Sequence, residues 1–204
     1  MNFKKLQAMQ AKLDEAILAD KAPMTAEERF NKTLVALSVE IAEVANCAEH
    51  FKFWKNNKGK IDHDRFIMTP SVVSIVNNLI EDDYLDNNTM QYVTEEQAHR
   101  LTLIEECSDA LHFILSLANQ TDFEINGIGT HFKIAEDADN LEKNFLFLNH
   151  MIGLAVFEHF HSDLEMIIDV FFIYINQLGI SQQELEQAYY DKNKINYERL
   201  ENGY

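Results

Sequence analysis

Residues 34–48 read LVALSVEIAEVANCA and residues 101–118 read LTLIEECSDALHFILSLA, and these two stretches decide the fold. The first is apolar apart from Ser38, Glu40, Glu43, Asn46 and Cys47, so it predicts a helix buried on most sides. At about 100° per residue, Glu40, Glu43, Asn46 and Cys47 share one stripe that continues to His50. The second stretch repeats the pattern, with Glu105, Glu106, Asp109, His112 and Ser116 on one stripe and leucines, isoleucines and Phe113 around it. Two inward carboxylates left unpaired cost several kcal/mol each, and a cation is the simplest remedy. If the helices face one another, Glu40, Glu43, Glu106 and Asp109 make an all-oxygen cage suited to Mg²⁺ or Mn²⁺. A thiolate zinc site lacks its ligands, and Cys47 and Cys107 read as small buried apolar residues. The plainer alternative is a pair of half-exposed helices whose acids meet water or arginine.

Outward from this pair, Phe3, Leu6, Met9, Leu13 and Ile17 recur at helical spacing and predict an amphipathic opening helix. Thr25 and Glu28 read as a capping box that starts a helix running through Phe30, Leu34, Leu37, Ile41, Val44 and Phe51 toward Trp54. From Lys55 to about Gln91 the chain turns polar, with a Thr69-Pro70 break, one short apolar helix over 72–80 and the acidic run EDDYLDNN. That segment is expected to be an insertion or lid within a single domain spanning 1–204. Further helices are expected over Thr94 to Asn119, Asp137 to Phe160 and Asp163 to Leu178, the last capped by Gly179. Ser181 and Glu184 form a second capping box for the final helix. No strand-period alternation or internal repeat is evident, so the expected class is an all-α bundle.

The composition agrees: 204 residues with 47% hydrophobic and 25% charged side chains have the profile of a globular chain. Seventeen basic against 34 acidic residues give a net charge of −17, which disfavours binding to a nucleic acid polymer or an anionic membrane. The two cysteines form no CxxC, and MNFKKLQAMQ lacks the apolar region of a signal peptide. The apolar run from Met166 to Ile175 is short and interrupted by Asp169, so it does not read as a membrane span. The expected location is the reducing cytoplasm.

Two further segments carry chemistry. In AYYDKNKINYERLENGY, residues 188–204, Lys192, Asn193, Asn196 and Arg199 make a cationic and amide stripe on one helix face, suited to phosphate oxygens. The alternative is ordinary surface charge paired with Glu198 or Asp191. In HFKFWKNNKGK, residues 50–60, Phe51, Lys52, Phe53, Trp54 and Lys55 form an aromatic and basic cluster able to stack a base, or else plain core.

Together these segments resemble the dimeric, all-α dUTPases, within the wider all-α nucleoside triphosphate pyrophosphohydrolase (MazG-like) group. The resemblance rests on Gln10-Ala-Lys-Leu13-Asp14, on the ExxE at Glu40 and Glu43 followed by Phe51-Lys-Phe-Trp54, and on the ExxD at Glu106 and Asp109 followed by Leu111-His-Phe113. Its most specific part is Ala188-Tyr189 to Lys192-Asn193, then Asn196, Arg199 and Gly203-Tyr204. It implies a homodimer that hydrolyses dUTP to dUMP and pyrophosphate, with Mg²⁺ on Glu40, Glu43, Glu106 and Asp109 and with Glu43 orienting or deprotonating water. It further implies that Lys192, Asn193, Asn196 and Arg199 hold phosphate or sugar, with Lys52 and Lys55 as helpers, and that Gln10 and Trp54 read or cover uracil. The stretch between the acidic motifs is longer than the family's, and Leu200 stands where the family tends to have Gln. Competing readings are a relative acting also on dCTP, a non-catalytic helical interaction module, and a ferritin-like di-iron protein built on Glu96–His99 and Glu158–His161.

Overall fold

The computed structural model describes residues 1–19, 21–56, 59–70, 82–127, 140–156 and 161–203. In chain order the elements are α1 (Phe3–Ala19), α2 (Ala26–Ala48), β1 (Phe66–Pro70), β2 (Asp82–Asp86), β3 (Gln91–Thr94), α3 (Glu95–Gln120), α4 (Leu141–Leu154), α5 (His161–Gln177) and α6 (Gln182–Glu201).

The helices start where their caps dictate. Thr25 accepts from the Glu28 amide while Glu28 accepts from the Thr25 amide, and Ser181 and Glu184 do the same for α6. Thr94 and Gln97 make a third box at the β3–α3 junction. Each such N-cap is worth about 1 kcal/mol. At the other end of α5, Gly179 adopts φ 78°, and the Ile180 amide bonds back to the Ile175 carbonyl, as its cap position predicts. α2 ends at Ala48, short of the expected Trp54, because Glu49 takes the left-handed conformation at φ 52° and turns the chain.

α3 is the central helix. It packs against α1, α2 and α6 and touches α5, while α4 packs on α5 and α2. Leu111, Ile114, Leu115 and Leu117 of α3 are fully buried with Leu6, Leu37, Ile41, Val44, Phe171 and Tyr189. Each large side chain so buried contributes about 1.5–3 kcal/mol. α2 departs from the expected near-complete burial: Val35 is 66% and Val39 49% exposed, and Ala42, Glu43 and Asn46 are exposed as well. Only its α3-facing side is core.

The all-α class holds, and beside the helices lies one small antiparallel sheet ordered β1-β2-β3, which the lack of strand-period alternation did not foretell and in which Tyr84 pairs with Met68 on one side and Val93 on the other. Strands of four or five residues are too short for alternation to register in the sequence. The sheet rests on the start of α3 through Phe66, Tyr84 and Ala98. The helix expected over 72–80, and the expected helical residues 137–139 and 157–160, lie outside the described residues. No single helix among the described residues is long and apolar enough to cross a membrane.

Candidate active site

α2 and α3 bring Glu40, Glu106 and Asp109 together, each offering a carboxylate oxygen within 4.8 Å of the others, and all three are half-buried. Glu43, one turn beyond Glu40, is exposed but close enough to act on both Glu40 and Glu106. Burial, then the negative charges of Asp109, Glu43 and Glu106, push the Glu40 carboxyl up to about 7. Burial, then Glu43 and Asp109, push Glu106 up to about 7 as well. Asp109 is also raised, by burial, although Lys192 partly offsets it. Among the described residues, Glu40, Glu43 and Glu106 receive no hydrogen bond or ion pair. Hard oxygen donors in excess of positive charge suit a hard divalent cation.

Lys192 reaches the cluster from α6. Its buried Nζ donates to Asp109 Oδ2 at 2.7 Å and to Glu105 Oε1 at 3.0 Å. Burial works against its charge, but the pull of Asp109 and Glu105 outweighs burial and raises its pKa. Glu105 in turn accepts from Arg65 Nη1 at 2.7 Å, and Arg65 also pairs with the buried Asp86 at the end of β2. The sheet is thereby tied to the acidic face of α3, a link for which the sequence carries no signal. Arg199, one helical face with Lys192, lies near enough to Asp109 to lower its pKa.

The basic loop after α2 is organised differently. Glu49 is only 2% exposed and accepts from Lys52 Nζ at 2.7 Å, from Lys55 Nζ and from the Gly59 amide at 3.0 Å. The Lys52 and Lys55 bonds, with the Gly59 amide, outweigh burial and hold its carboxyl down at about 2. Lys52 and Lys55 are thus gathered on a residue that the spacing of the acidic stripes did not single out.

Gln10 lies in a third neighbourhood, a cavity of about 280 Å³ lined also by Asp14, Arg29, His112, Phe113, Ser116 and Asn196. Gln10 Nε2 donates to Asp14 Oδ1 at 2.7 Å, and Asp14 Oδ2 accepts from Arg29 at 3.0 Å and from Ser116 at 2.7 Å. Gln10 Oε1 faces His112 Nδ1 at 2.7 Å and Tyr189 Oη at 3.1 Å. Burial, then Lys192, pushes the His112 imidazole down to about 3, so it is neutral. Asn193 is buried with its Nδ2 unpartnered. Trp54 is 65% exposed, edge-on to Phe53 and Phe51, and is not among the residues lining the Gln10 cavity. The structure therefore gathers Glu40, Glu43, Glu106, Asp109, Lys192 and Arg199, and sets Lys52, Lys55 and Trp54 on a separate loop.

Among the described residues, the groups that a rival metal chemistry would use do not join the carboxylate cluster. His99 Nδ1 donates to the Lys60 carbonyl at 2.7 Å and is not part of the carboxylate group, while Glu158 lies outside the described residues. Cys47 and Cys107 are buried and free, and burial pushes the Cys47 thiol up to about 12.

A family model described as dUTPase matches residues 2–69 and 85–204, and the unmatched residues 70–84 fall inside the polar segment between the acidic stripes. No curated protein and no solved structure matches the chain.

Proposed function

The chain belongs to the dUTPase family and hydrolyses dUTP to dUMP and pyrophosphate, and we propose that it does so as a Mg²⁺-dependent homodimer whose metal ligands are Glu40, Glu43, Glu106 and Asp109. The observation that carries this assignment is the cluster of three converging carboxylates, with Glu43 beside them, on the two helices that the family match spans. Oxygen donors alone favour Mg²⁺, with Mn²⁺ as its nearest substitute. Bound there, the metal would supply positive charge to offset the negative charge developing on the phosphoryl oxygens and would acidify water.

The chain's own groups do the rest. Glu43, the most exposed of the four acids, is positioned to orient the attacking water and take its proton. Lys192, Asn193, Asn196 and Arg199 hold phosphate and sugar oxygens from α6, with Lys52 and Lys55 as helpers on the loop that Glu49 fixes. Water oxygen bonds to one phosphorus of the α–β bridge as that phosphorus loses its bond to the bridging oxygen, giving dUMP and pyrophosphate, and the proton released passes to Glu43. Gln10 and Trp54 serve the base, Gln10 from the cavity and Trp54 from the loop, which must then close or be completed by the second subunit.

Dimer formation is supported by an exposed apolar strip: Val35 and Val39 on α2, with Leu146 65% exposed on α4, the two helices being joined by a 3.5 Å contact of Ser38 with Asn149. The polar segment over 55–91 is assigned as an insertion in a single 1–204 domain, supported by the family match skipping 70–84. Two buried free cysteines suit the reducing cytoplasm, and the net charge of −17 argues against a nucleic acid polymer or membrane as partner. The test is pyrophosphate release from dUTP, dCTP and UTP with Mg²⁺ and then with EDTA. Turnover of dUTP that EDTA abolishes is expected; turnover that survives metal removal would overturn the metal assignment.

A further inference from the structure

Glu105 and Glu106 are adjacent acids of one helix, and the protein gives them opposite company. Neighbouring positions on a helix point about 100° apart. Glu106 joins Glu40 and Asp109, whereas Glu105 stands outside that group and meets two cations. Its Oε1 accepts from Lys192 Nζ at 3.0 Å and its Oε2 from Arg65 Nη1 at 2.7 Å. With one oxygen committed to each cation, a turn toward the carboxylate cluster would break both bonds.

Arg65 is itself held on three sides. Its Nε and Nη2 face the two oxygens of Asp86 at 3.5 and 3.4 Å, its Nη1 donates to Glu105, and its guanidinium lies 4.7 Å from the centre of the buried Phe66 ring. Asp86 is 1% exposed and is fixed in turn by the Asn88 amide and the Thr89 hydroxyl, both at 3.0 Å. A continuous chain of charged contacts thus runs from the end of β2 through Asp86, Arg65 and Glu105 to Lys192.

Lys192 is where this chain bears on the reaction. An ammonium has three donors: here one goes to Asp109 at 2.7 Å and one to Glu105 at 3.0 Å, which leaves the third for a phosphate oxygen. Once Asp109 ligates a metal, it is weakened as a partner for Lys192, because the ammonium and the ion carry like charge. Among the described residues, Glu105 is then the carboxylate that still holds Lys192. Resting on the Mg²⁺-dependent dUTP reading above, we propose that Arg65 is a positioning residue: it fixes Glu105, and Glu105 keeps Lys192 aimed at the phosphates once a metal has taken Asp109. The small sheet, through Asp86, thereby serves turnover without touching substrate.

The experiment is a double-mutant cycle on the full-length chain with Arg65→Met and Lys192→Met, read in binding rather than in turnover. In calorimetry with Mg²⁺ and α,β-imido-dUTP, which is not hydrolysed, Arg65→Met should bind about 10-fold more weakly, while deoxyuridine, which has no phosphate, should bind as it does to the wild type. In the Lys192→Met background, Arg65→Met should cost nothing further, whereas a merely structural role makes the two losses add. In ¹H–¹⁵N spectra the Lys192 ammonium, identified by its loss in Lys192→Met, should stay visible in the wild type when Mg²⁺ is added and vanish in Arg65→Met. Glu105→Gln, with one acceptor oxygen for two cations, carries the same expectations and replaces Arg65→Met if that variant does not fold. Additive losses, or a Lys192 signal indifferent to both substitutions, would overturn the proposal even if dUTP is hydrolysed. Failure of the wild type to hydrolyse dUTP would instead sink the activity reading, while the Lys192 signal with and without Mg²⁺ would still decide the role of Arg65.

Discussion

Glu40 and Glu49 are the same residue type on one helix and at its end, and the protein treats them in opposite ways. Glu49 is sealed from solvent but surrounded by donors, and its carboxyl is held down at about 2. Glu40 is half-buried among acids, and burial first, then the charges of Asp109, Glu43 and Glu106, push its carboxyl up to about 7. Burial alone therefore does not mark a functional acid; what matters is whether the protein supplies the compensating charge. At Glu49 it supplies two lysines and an amide, which makes the residue a clamp for the loop. At Glu40 and Glu106 only Lys192 acts against the raised values, and the remaining charge is what the proposed cation would supply.

The sharpest way to break this contrast is Glu43→Gln. Removing the proposed base should lower dUTP hydrolysis by about 10²–10⁴-fold without unfolding the protein, since Glu43 is exposed and makes no ion pair among the described residues. Near-normal steady-state hydrolysis in that variant would remove Glu43 from the mechanism.

A smaller effect separates the two regions by pH. Glu40 and Glu106 have folded values raised above the ordinary 4.5, so their contribution to stability is complete below about 4.5 and is lost as pH rises through about 7. Glu49 has a depressed value, so its contribution is present above about 4.5 and is lost as pH falls through about 2. Metal-free protein should accordingly melt lower at pH 8 than at pH 6, and saturating Mg²⁺ should abolish that fall by binding the charged form. Thermal melts with EDTA and with Mg²⁺ across this range check it, and a pH-independent metal-free melting temperature would count against the shared carboxylate cluster.

The helices and most of the acidic cluster were legible in the sequence because each rests on local rules. The Thr25 and Ser181 capping boxes, the Gly179 cap and the 3.6-residue stripes of α2 and α3 need only neighbouring residues to be read. Glu49 was not legible, since its role depends on a left-handed turn that folds Lys52, Lys55 and Gly59 back onto it. Nor was the Arg65 bridge between Asp86 and Glu105, which joins a strand end to a helix far along the chain. His112 lay on the α3 stripe, but its contact with Gln10 on α1 joins residues far apart in the chain. Long-range charge pairing leaves no periodicity to find, and strands of four or five residues leave little more.

The most direct measurement is a paired melt of metal-free Glu40→Gln and Glu49→Gln at pH 8, at one protein concentration. Glu40→Gln removes a charge with no partner and should raise the melting temperature, by about 2–6 °C for about 1–2 kcal/mol. Glu49→Gln strips two lysines of their anion and should lower it by a similar amount, the lysines being partly exposed. If Glu40→Gln melts below the wild type, or the two variants move in the same direction, then Glu40 is an ordinary structural acid and the cluster is not a site waiting for a cation.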